Sequence, residues 1–387
     1  MKRIVKVLLI IISLLFISTV YATPFDNHGE LNVDGVNIVD KNYKIFQIRG
    51  VSTHGIGWFP EYVNKDAFKY MRDEWGINAV RLAMYSEPSC NYNEETRKKV
   101  KQGIEYAKEL GLYVIVDWHI LNDNNPNIYK SEAIKFFKEI ASEYHTYDNI
   151  LYEICNEPNG STEWSKDIKP YAEDVINEIR KIDDDAIIIV GTPTWSQDLD
   201  KVEKDPISNQ KNIMYTLHFY AGTHKEYLQE KYKHALKNNI PVFVTEFGAI
   251  NADGNGSLDY DSANKWMDLL KENNTSFMIW QLSNKNEGAS LIRSDVKKTT
   301  GWTEDELAPH GKWYVDILKS YEKEKDEVTT TTTKVDDVAP PTTTTKIINK
   351  ESSNKKDNTI VIYIVCVSLL IVIVLVIVVI ISRKNRK

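Results

Sequence analysis

The chain has 387 residues, of which 27% are charged and 42% hydrophobic, enough for one large α/β domain with appendages at its ends. Its formal net charge is −7, but seven of its 48 cations lie in two acid-free terminal segments. The remainder carries 41 Lys and Arg against 55 Asp and Glu, a net −14, which argues against nucleic acid or an acidic polysaccharide as a partner.

Met1–Ala22 starts with Lys2, Arg3 and Lys6, continues as an apolar run and closes on Val20-Tyr21-Ala22. That pattern reads as a secretory signal cut near Ala22, with an uncleaved anchor as the alternative. Leu31–Lys44 reads as a small hairpin that plugs the bottom of a barrel. The predicted strands follow: Phe46–Val51, Ala79–Met84, Tyr113–Asp117, Ile150–Ile154, Ile187–Val190, Met214–His218, Val242–Thr245 and Phe277–Gln281. Amphipathic stretches at Lys65–Glu74, Glu94–Leu110, Ser131–Tyr144, Ile168–Ile182, Lys225–Asn238 and Asp261–Lys271 separate most of them. Eight β/α alternations over about 280 residues predict a (β/α)8 TIM barrel across 23–321. A doubly wound open sheet is the alternative; it would want a Gly-rich phosphate loop after an early strand, and the sequence has none.

Residues 322–358 carry Thr329–Thr333, Pro340-Pro341 and Thr342–Thr345 among dense Lys, Glu and Asp. So little apolar side chain cannot build a core, and the composition predicts a disordered, O-glycosylated stalk. Within 359–382, Ile360–Ile381 is a run of 22 residues without a charge, and a helix of that length crosses ~30 Å of hydrocarbon. Arg383, Lys384, Arg386 and Lys387 in the tail 383–387 mark it as a single transmembrane helix with a cytoplasmic C-terminus. A lipid-anchor signal at Ser352-Ser353-Asn354 is the alternative, although such signals normally finish in their apolar tail. The expected arrangement is a single-pass protein of the cell membrane with its barrel outside. Cys366 falls in the span, so Cys90 and Cys155 allow one disulfide at most, and neither has metal-ligand spacing with a histidine. No metal or cofactor is expected, and the barrel is expected to be monomeric. Asn159, Asn255 and Asn273 each open an N-glycan acceptor pattern; Asn159 stands two residues from Glu157 and is expected to stay unmodified.

In a TIM barrel, functional groups gather where strands end. Arg81 lies in the second predicted barrel strand. Asp117-Trp118-His119 closes the third and Asn156-Glu157 the fourth. Thr194-Trp195-Ser196-Gln197 follows the fifth, His218-Phe219-Tyr220 closes the sixth, Glu246 the seventh, and Trp280 lies in the eighth. Chance placement would scatter these residues. Glu157 and Glu246, 89 residues apart, each follow a short apolar run that reads as a buried strand. A glutamate there is well placed for chemistry and poorly placed for packing.

The segments Leu151-Tyr152-Glu153-Ile154-Cys155-Asn156-Glu157-Pro158-Asn159-Gly160 and Val244-Thr245-Glu246-Phe247-Gly248 occur in order with Ser52-Thr53-His54-Gly55, Asp117–Leu121, Gly191–Asp198, Tyr215–His224 and Gly301-Trp302-Thr303. Together they resemble the bacterial-type family-5 glycoside hydrolases, nearest to the endo-β-1,4-glucanases or cellulases, over about Leu31 to Lys319. The resemblance implies Glu157 as general acid/base and Glu246 as nucleophile. It implies that Arg81 and Tyr220 hydrogen-bond the nucleophile, that Asn156 holds a sugar 2-hydroxyl, and that His119 and His218 line the same subsite. Trp280 would be its aromatic floor. Trp58 and Trp195 would stack on neighbouring sugars, and His54, Lys285 and Glu287 would contact substrate. The implied partner is a β-glucan polysaccharide such as cellulose or its soluble oligosaccharides.

Phe247 stands where the family usually has Trp, and Gly57 where a larger polar residue is common; both are expected to alter the shape of a subsite. The implied mechanism needs two carboxyls ~5 Å apart, one ionised and one protonated, and Arg81 beside Glu246 would keep the nucleophile ionised. The alternatives are a hydrolase for mannan, xyloglucan, xylan or mixed-linkage glucan on the same scaffold, or a non-catalytic carbohydrate-binding surface protein. The second should have lost one of the glutamates, and both are present.

Overall fold

The computed structural model describes residues 22–332, with side chains to 321. The predicted signal, the predicted stalk beyond 332, the apolar span and the basic tail lie outside the described residues. Among the described residues, no helix is long and apolar enough to cross a membrane.

A two-stranded antiparallel hairpin, β1 (Asn32–Asp34) and β2 (Asn37–Val39), precedes the barrel. Eight strands then close a parallel barrel: β3 (Arg49–Thr53), β4 (Ala79–Tyr85), β5 (Tyr113–His119), β6 (Ile150–Glu153), β7 (Ile188–Val190), β8 (Ile213–Tyr220), β9 (Val242–Gly248) and β10 (Phe277–Leu282). Each pairs with its sequence neighbours, and β10 pairs back onto β3. The helices between them turn one apolar face to the sheet. Glu94–Leu110 buries Val100, Ile104, Ala107 and Leu110 at helical spacing, is capped by Asn93 and ends at Gly111 with φ 63°, a left-handed stop that glycine adopts without penalty.

The interior of the lower barrel is apolar. Ile48, Tyr113, Ile115, Leu151, Ile189, Met214, Phe243 and Met278 pack together, and Leu31, Ile38 and Phe46 cover them from below. The predicted plug is therefore present. It is tied down by Asn212, which receives Val33 N–H at 2.9 Å and donates to Asn32 at 3.1 Å.

Most predicted strand ends move by a few residues, and three boundary shifts are informative. The first barrel strand starts at Arg49 rather than Phe46, because the preceding residues are used by the hairpin: Phe46 N–H donates to Ile38 O at 2.9 Å and Ile45 bridges Val39. The seventh barrel strand runs past Thr245 to Gly248. The last helix, Pro309–Thr332, continues beyond the predicted end of the domain at Tyr321; Glu322–Glu327 is rich in Glu and Lys, which favour helix. Cys90 and Cys155 are free buried thiols.

Candidate active site

The C-terminal strand ends open into a cleft of about 1070 Å³ whose lining includes Glu157, Glu246, His54, His119, His218, Tyr220 and Trp280. Two irregularities in the sheet shape it. Between β8 and β9 the pairing passes from Thr216↔Phe243 to His218↔Glu246, so β9 carries one extra residue, a bulge of the kind that re-aims side chains. Thr245 and Glu246 consequently both bond inside the barrel. The β3–β10 register slips in the same way between Ile279 and Leu282, beside Trp280.

Arg81, from β4, is fully buried and organises the floor. Its Nε donates to Glu153 at 2.7 Å, its Nη2 to Asn156 Oδ1 at 2.6 Å and to Asp117 at 3.0 Å, and its Nη1 to Glu246 at 3.5 Å and to Ser52 Oγ at 3.2 Å. Against the burial that opposes its charge, Asp117, Glu153 and Glu246 hold the guanidinium protonated. Tyr220 O–H donates to Glu246 Oε1 at 2.6 Å. His218 Nδ1 lies 2.8 Å from Glu157 Oε1, and its Nε2 lies 2.9 Å from Thr245 Oγ1. One polar atom each of Glu157, His218 and Glu246 all lie within 4.8 Å of one another. Three such groups could in principle hold a metal, but both nitrogens of His218 already meet hydrogen-bond partners.

Burial fixes most protonation states here. It pushes Glu157 up to about 8, with Asp117 and Glu153 adding and Arg81 opposing. Burial first, and Glu157 second, raise Glu246, while His218 and Arg81 pull it back. Burial lowers His119 to about 3 and His218 to about 4, so both rings are neutral. The tautomer of His119 follows from donor counting. Arg81 only donates, so Asn156 Oδ1 faces it and Asn156 Nδ2 donates to His119 Nε2 at 3.2 Å and to Ile120 O at 3.2 Å. The His119 proton is then on Nδ1 and donates to Asp117 Oδ2 at 2.7 Å.

Aromatic side chains form the walls. Trp280 stacks on His119 with ring centroids 5.2 Å apart and lies 5.5 Å from His54. Trp58 meets Tyr85 edge-on at 4.6 Å. Trp58 and Trp195 stay 42% and 45% exposed, flat surfaces left open on a protein that buries its other tryptophans. Trp195 is projected by an unusual turn: Thr194, Trp195 and Ser196 all have φ between 55° and 59°, which costs non-glycine residues of order 1 kcal/mol or more each. Trp195 N–H donates to Pro158 O at 3.0 Å and Ser196 Oγ to Asn156 O at 2.7 Å, so the turn is fastened to the Asn-Glu-Pro segment. Gly191 permits that approach, because a Cβ there would sit 2.0 Å from Cys155 O. At the far end Lys285 pairs with Glu287 at 2.5 Å, and both line the cleft.

All thirteen residues singled out from the sequence meet at this end of the barrel. Asn156 is fully buried beneath the cleft, with its carboxamide engaged by Arg81, His119 and Ile120. Phe247 and Gly57 do not line the cleft. Phe247 is fully buried and points outward, 5.2 Å from Phe219 and 5.8 Å from Phe277, as strand alternation after Glu246 dictates. Gly57 lets the Pro88–Cys90 turn close in, since a Cβ there would lie 2.5 Å from that of Asn91. Asn159 is buried, with its amide donating to Leu121 O and Glu157 O, a setting closed to a glycan.

Asp117, Glu153, Thr245 and Tyr85 also belong to the site; the sequence places Asp117 at a strand end but assigns none of the four a role. A signal existed for two of them. Asp117 and Glu153 are charged residues at inward positions of otherwise apolar strands. Thr245 shares the inward register of Phe243, and the bulge brings Glu246 to its side.

A family profile described as Cellulase (glycosyl hydrolase family 5) matches residues 39–286. An endoglucanase of Clostridium saccharobutylicum is 47% identical over 285 residues, covering 73% of this chain and 63% of the relative. Endoglucanase 5 of Pectobacterium carotovorum subsp. carotovorum is 42% identical over 304 residues, covering 78% and 60%. The chain thus spans about six-tenths of the length of these curated relatives. Among solved structures, the catalytic domain of Thermobifida fusca endoglucanase Cel5A in complex with cellotetraose aligns with a TM-score of 0.73 at 34% identity, covering 77% of this chain and 99% of that one. A structure from Cytophaga hutchinsonii aligns with a TM-score of 0.75 at 37% identity, covering 79% and 99%. With the family profile spanning most of the barrel and the paired glutamates at its strand ends, the chain belongs to glycosyl hydrolase family 5, the cellulase family.

Proposed function

We propose that this chain is a retaining endo-β-1,4-glucanase that cleaves internal bonds of cellulose and related β-glucans by double displacement. The observation that carries the reading is the spacing of the acid pair: oxygens of Glu157 and Glu246 within 4.8 Å suit direct attack by one carboxylate. An inverting site would hold its carboxyls ~6.5–9.5 Å apart to admit a water. Glu246 is the nucleophile, held by Tyr220 O–H and Arg81. Glu157 is the acid that protonates the leaving oxygen and then the base that activates water; its raised pKa suits both duties. The long open cleft and the exposed rings of Trp58 and Trp195 suit a chain of equatorially linked sugars entering along its length. The relatives' names, and the cellotetraose bound to the Thermobifida enzyme, favour glucan over mannan or xylan.

Hydrolysis of carboxymethyl cellulose, barley β-glucan, glucomannan and xylan, with proton NMR of the first-formed product, tests the reading. Preferential cleavage of the glucans with a β-anomer formed first is expected. A first-formed α-anomer would show that water, not Glu246, attacks; a preference for xylan or glucomannan would reassign the substrate.

The barrel is also proposed to be held outside the cell, on the sequence of the signal, stalk, apolar span and basic tail. A stalk of the predicted composition would contribute reach toward insoluble fibre. Protease added to intact cells is expected to release activity. Full-length protein in the soluble medium would overturn the anchored arrangement.

A further inference from the structure

We propose that Thr245 and Glu153 are positioning residues that keep the acid proton on Glu157 by dictating which nitrogen of His218 is protonated. The inference rests on Glu157 being the acid/base. It follows from a chain of five groups, Arg81 to Glu157, in which each of four hydrogen bonds fixes the direction of the next.

The chain starts at a group whose state is not in question. Arg81 is always charged and donates only. Its Nε–H meets Glu153 Oε2 at 2.7 Å, with both side chains fully buried, so Glu153 is a carboxylate and only accepts. Glu153 Oε1 lies 2.6 Å from Thr245 Oγ1. Thr216 Oγ1, the other hydroxyl within reach, is 3.4 Å away, so the single Thr245 proton goes to Glu153. Thr245 then offers only lone pairs to His218 Nε2 at 2.9 Å, and the ring proton sits on Nε2. His218 is neutral, so Nδ1 is bare. A bare nitrogen 2.8 Å from an ionised carboxylate oxygen would be repelled; the contact is favourable when Glu157 is protonated and donates to it. The bulge in β9 brings Glu246 onto the inward face that Thr245 already shares with Phe243.

The chain acts on both half-reactions. In the first, the proton leaves Glu157 for the glycosidic oxygen as Glu246 bonds to the anomeric carbon and the leaving group departs. Glu157 is then an ionised carboxylate facing bare Nδ1, an arrangement that strengthens it as a base. In the second, it takes a proton from water as that water attacks the anomeric carbon and releases Glu246. No further reactant is required. The other charged groups acting on Glu157 are Arg81 on β4, Asp117 on β5 and Glu246 on β9. The phenols Tyr85 and Tyr220 also face it and are held far above their ordinary value, first by burial. None of these lies in the chain beyond Arg81, so a change at Thr245 reads on His218 and Glu157.

Thr245→Val removes the hydroxyl at nearly constant shape, freeing His218 to move its proton to Nδ1 and donate to ionised Glu157. The alkaline limb of kcat/KM on cellopentaose is then expected about one pH unit lower than in the wild type, the equivalent of one hydrogen bond. Thr245→Ser keeps the hydroxyl and is expected to restore the wild-type limb. The loss in Thr245→Val should be smaller on a dinitrophenyl cellobioside, whose leaving group needs little protonation. A Thr245→Val profile that overlays the wild type, or a Thr245→Ser profile displaced as far, overturns the proposal. Nitrogen NMR of His218 in the wild type, assigned by its loss in His218→Asn, is the second measurement and needs no folded Thr245 variant. Protonated Nε2 with bare Nδ1 is expected, and the reverse tautomer overturns the proposal. Failure of the wild type to turn over either glycoside would instead sink the glucanase reading, with the NMR result still deciding the tautomer.

Discussion

The two ends of this barrel are built from the same eight strands and obey opposite rules. At the lower end, inward residues such as Leu151, Ile189, Phe243 and Met278 form an apolar plug capped by the hairpin. One inward step further along the same strands stand Arg81, Asp117, Glu153 and Thr245, all fully buried. Burying apolar side chains stabilises by about 1.5–3 kcal/mol each, whereas burying charges costs unless partners and hydrogen bonds compensate. The upper end concentrates negative charge around one guanidinium, which suits the proposed acid pair, one carboxyl ionised and one protonated in one place. The lower end supplies the stability that makes this tolerable.

The contrast breaks most sharply at the acid pair. Glu246→Gln should remove the nucleophile and lower turnover of cellulose by more than the ~10⁴ that general acid catalysis alone supplies, with ligand binding retained in calorimetry. Its melting temperature should match or exceed the wild type, since an active-site carboxylate is often a cost to stability. Near-normal turnover would remove Glu246 from its role. Glu157→Gln should lose about 10²–10⁴ on cellulose while still forming a glycosyl-enzyme from aryl glycosides with good leaving groups. Equal losses on both substrates would mean that Glu157 is not the acid.

The lower end should answer in stability instead of rate. Phe243→Ala should destabilise by about 3–5 kcal/mol in denaturant titration, with kcat per folded molecule unchanged; a loss of kcat without a loss of stability would show that the two ends are not separable. Phe247→Trp should cost about 1–3 kcal/mol by overfilling the shell between barrel and helices. Its KM for cellopentaose should stay at the wild-type value, because Phe247 faces away from the cleft.

The smallest effect is in the pH profile. In the proposed mechanism activity requires Glu246 ionised and Glu157 protonated, so kcat/KM should rise as Glu246 loses its proton, above the ordinary carboxylate range because burial raises it. It should fall as Glu157 loses its own proton near pH 8. A profile that already falls below about pH 6, close to an ordinary carboxylate, would show that Glu157 is not held up by its surroundings.

Much of this is legible in the chain. Strand and helix positions follow from hydrophobic periodicity, which is local: Ala79–Met84 and Glu94–Leu110 are found where alternation and amphipathicity put them. The strand-end glutamates are legible because a carboxylate closing an apolar run gains nothing from packing there, and chemistry is what such a position serves. Phe46 is ambiguous in sequence because its apolar side chain fits a strand and a hairpin cap equally well, and only the pairing with Ile38 distinguishes them.

By itself, the sequence determined the eightfold β/α alternation, the capping hairpin and the placement of chemistry at one end, since each depends on periods of a few residues. Tertiary structure alone decided that Arg81 meets Glu153 and Asp117 as well as Glu246, that Asn156 lies under the cleft and that Phe247 faces away from it. It also decided that Glu246 turns inward beside Thr245. These depend on barrel closure and on one extra residue in β9, and a bulge is a relation between two strands that neither strand's sequence contains.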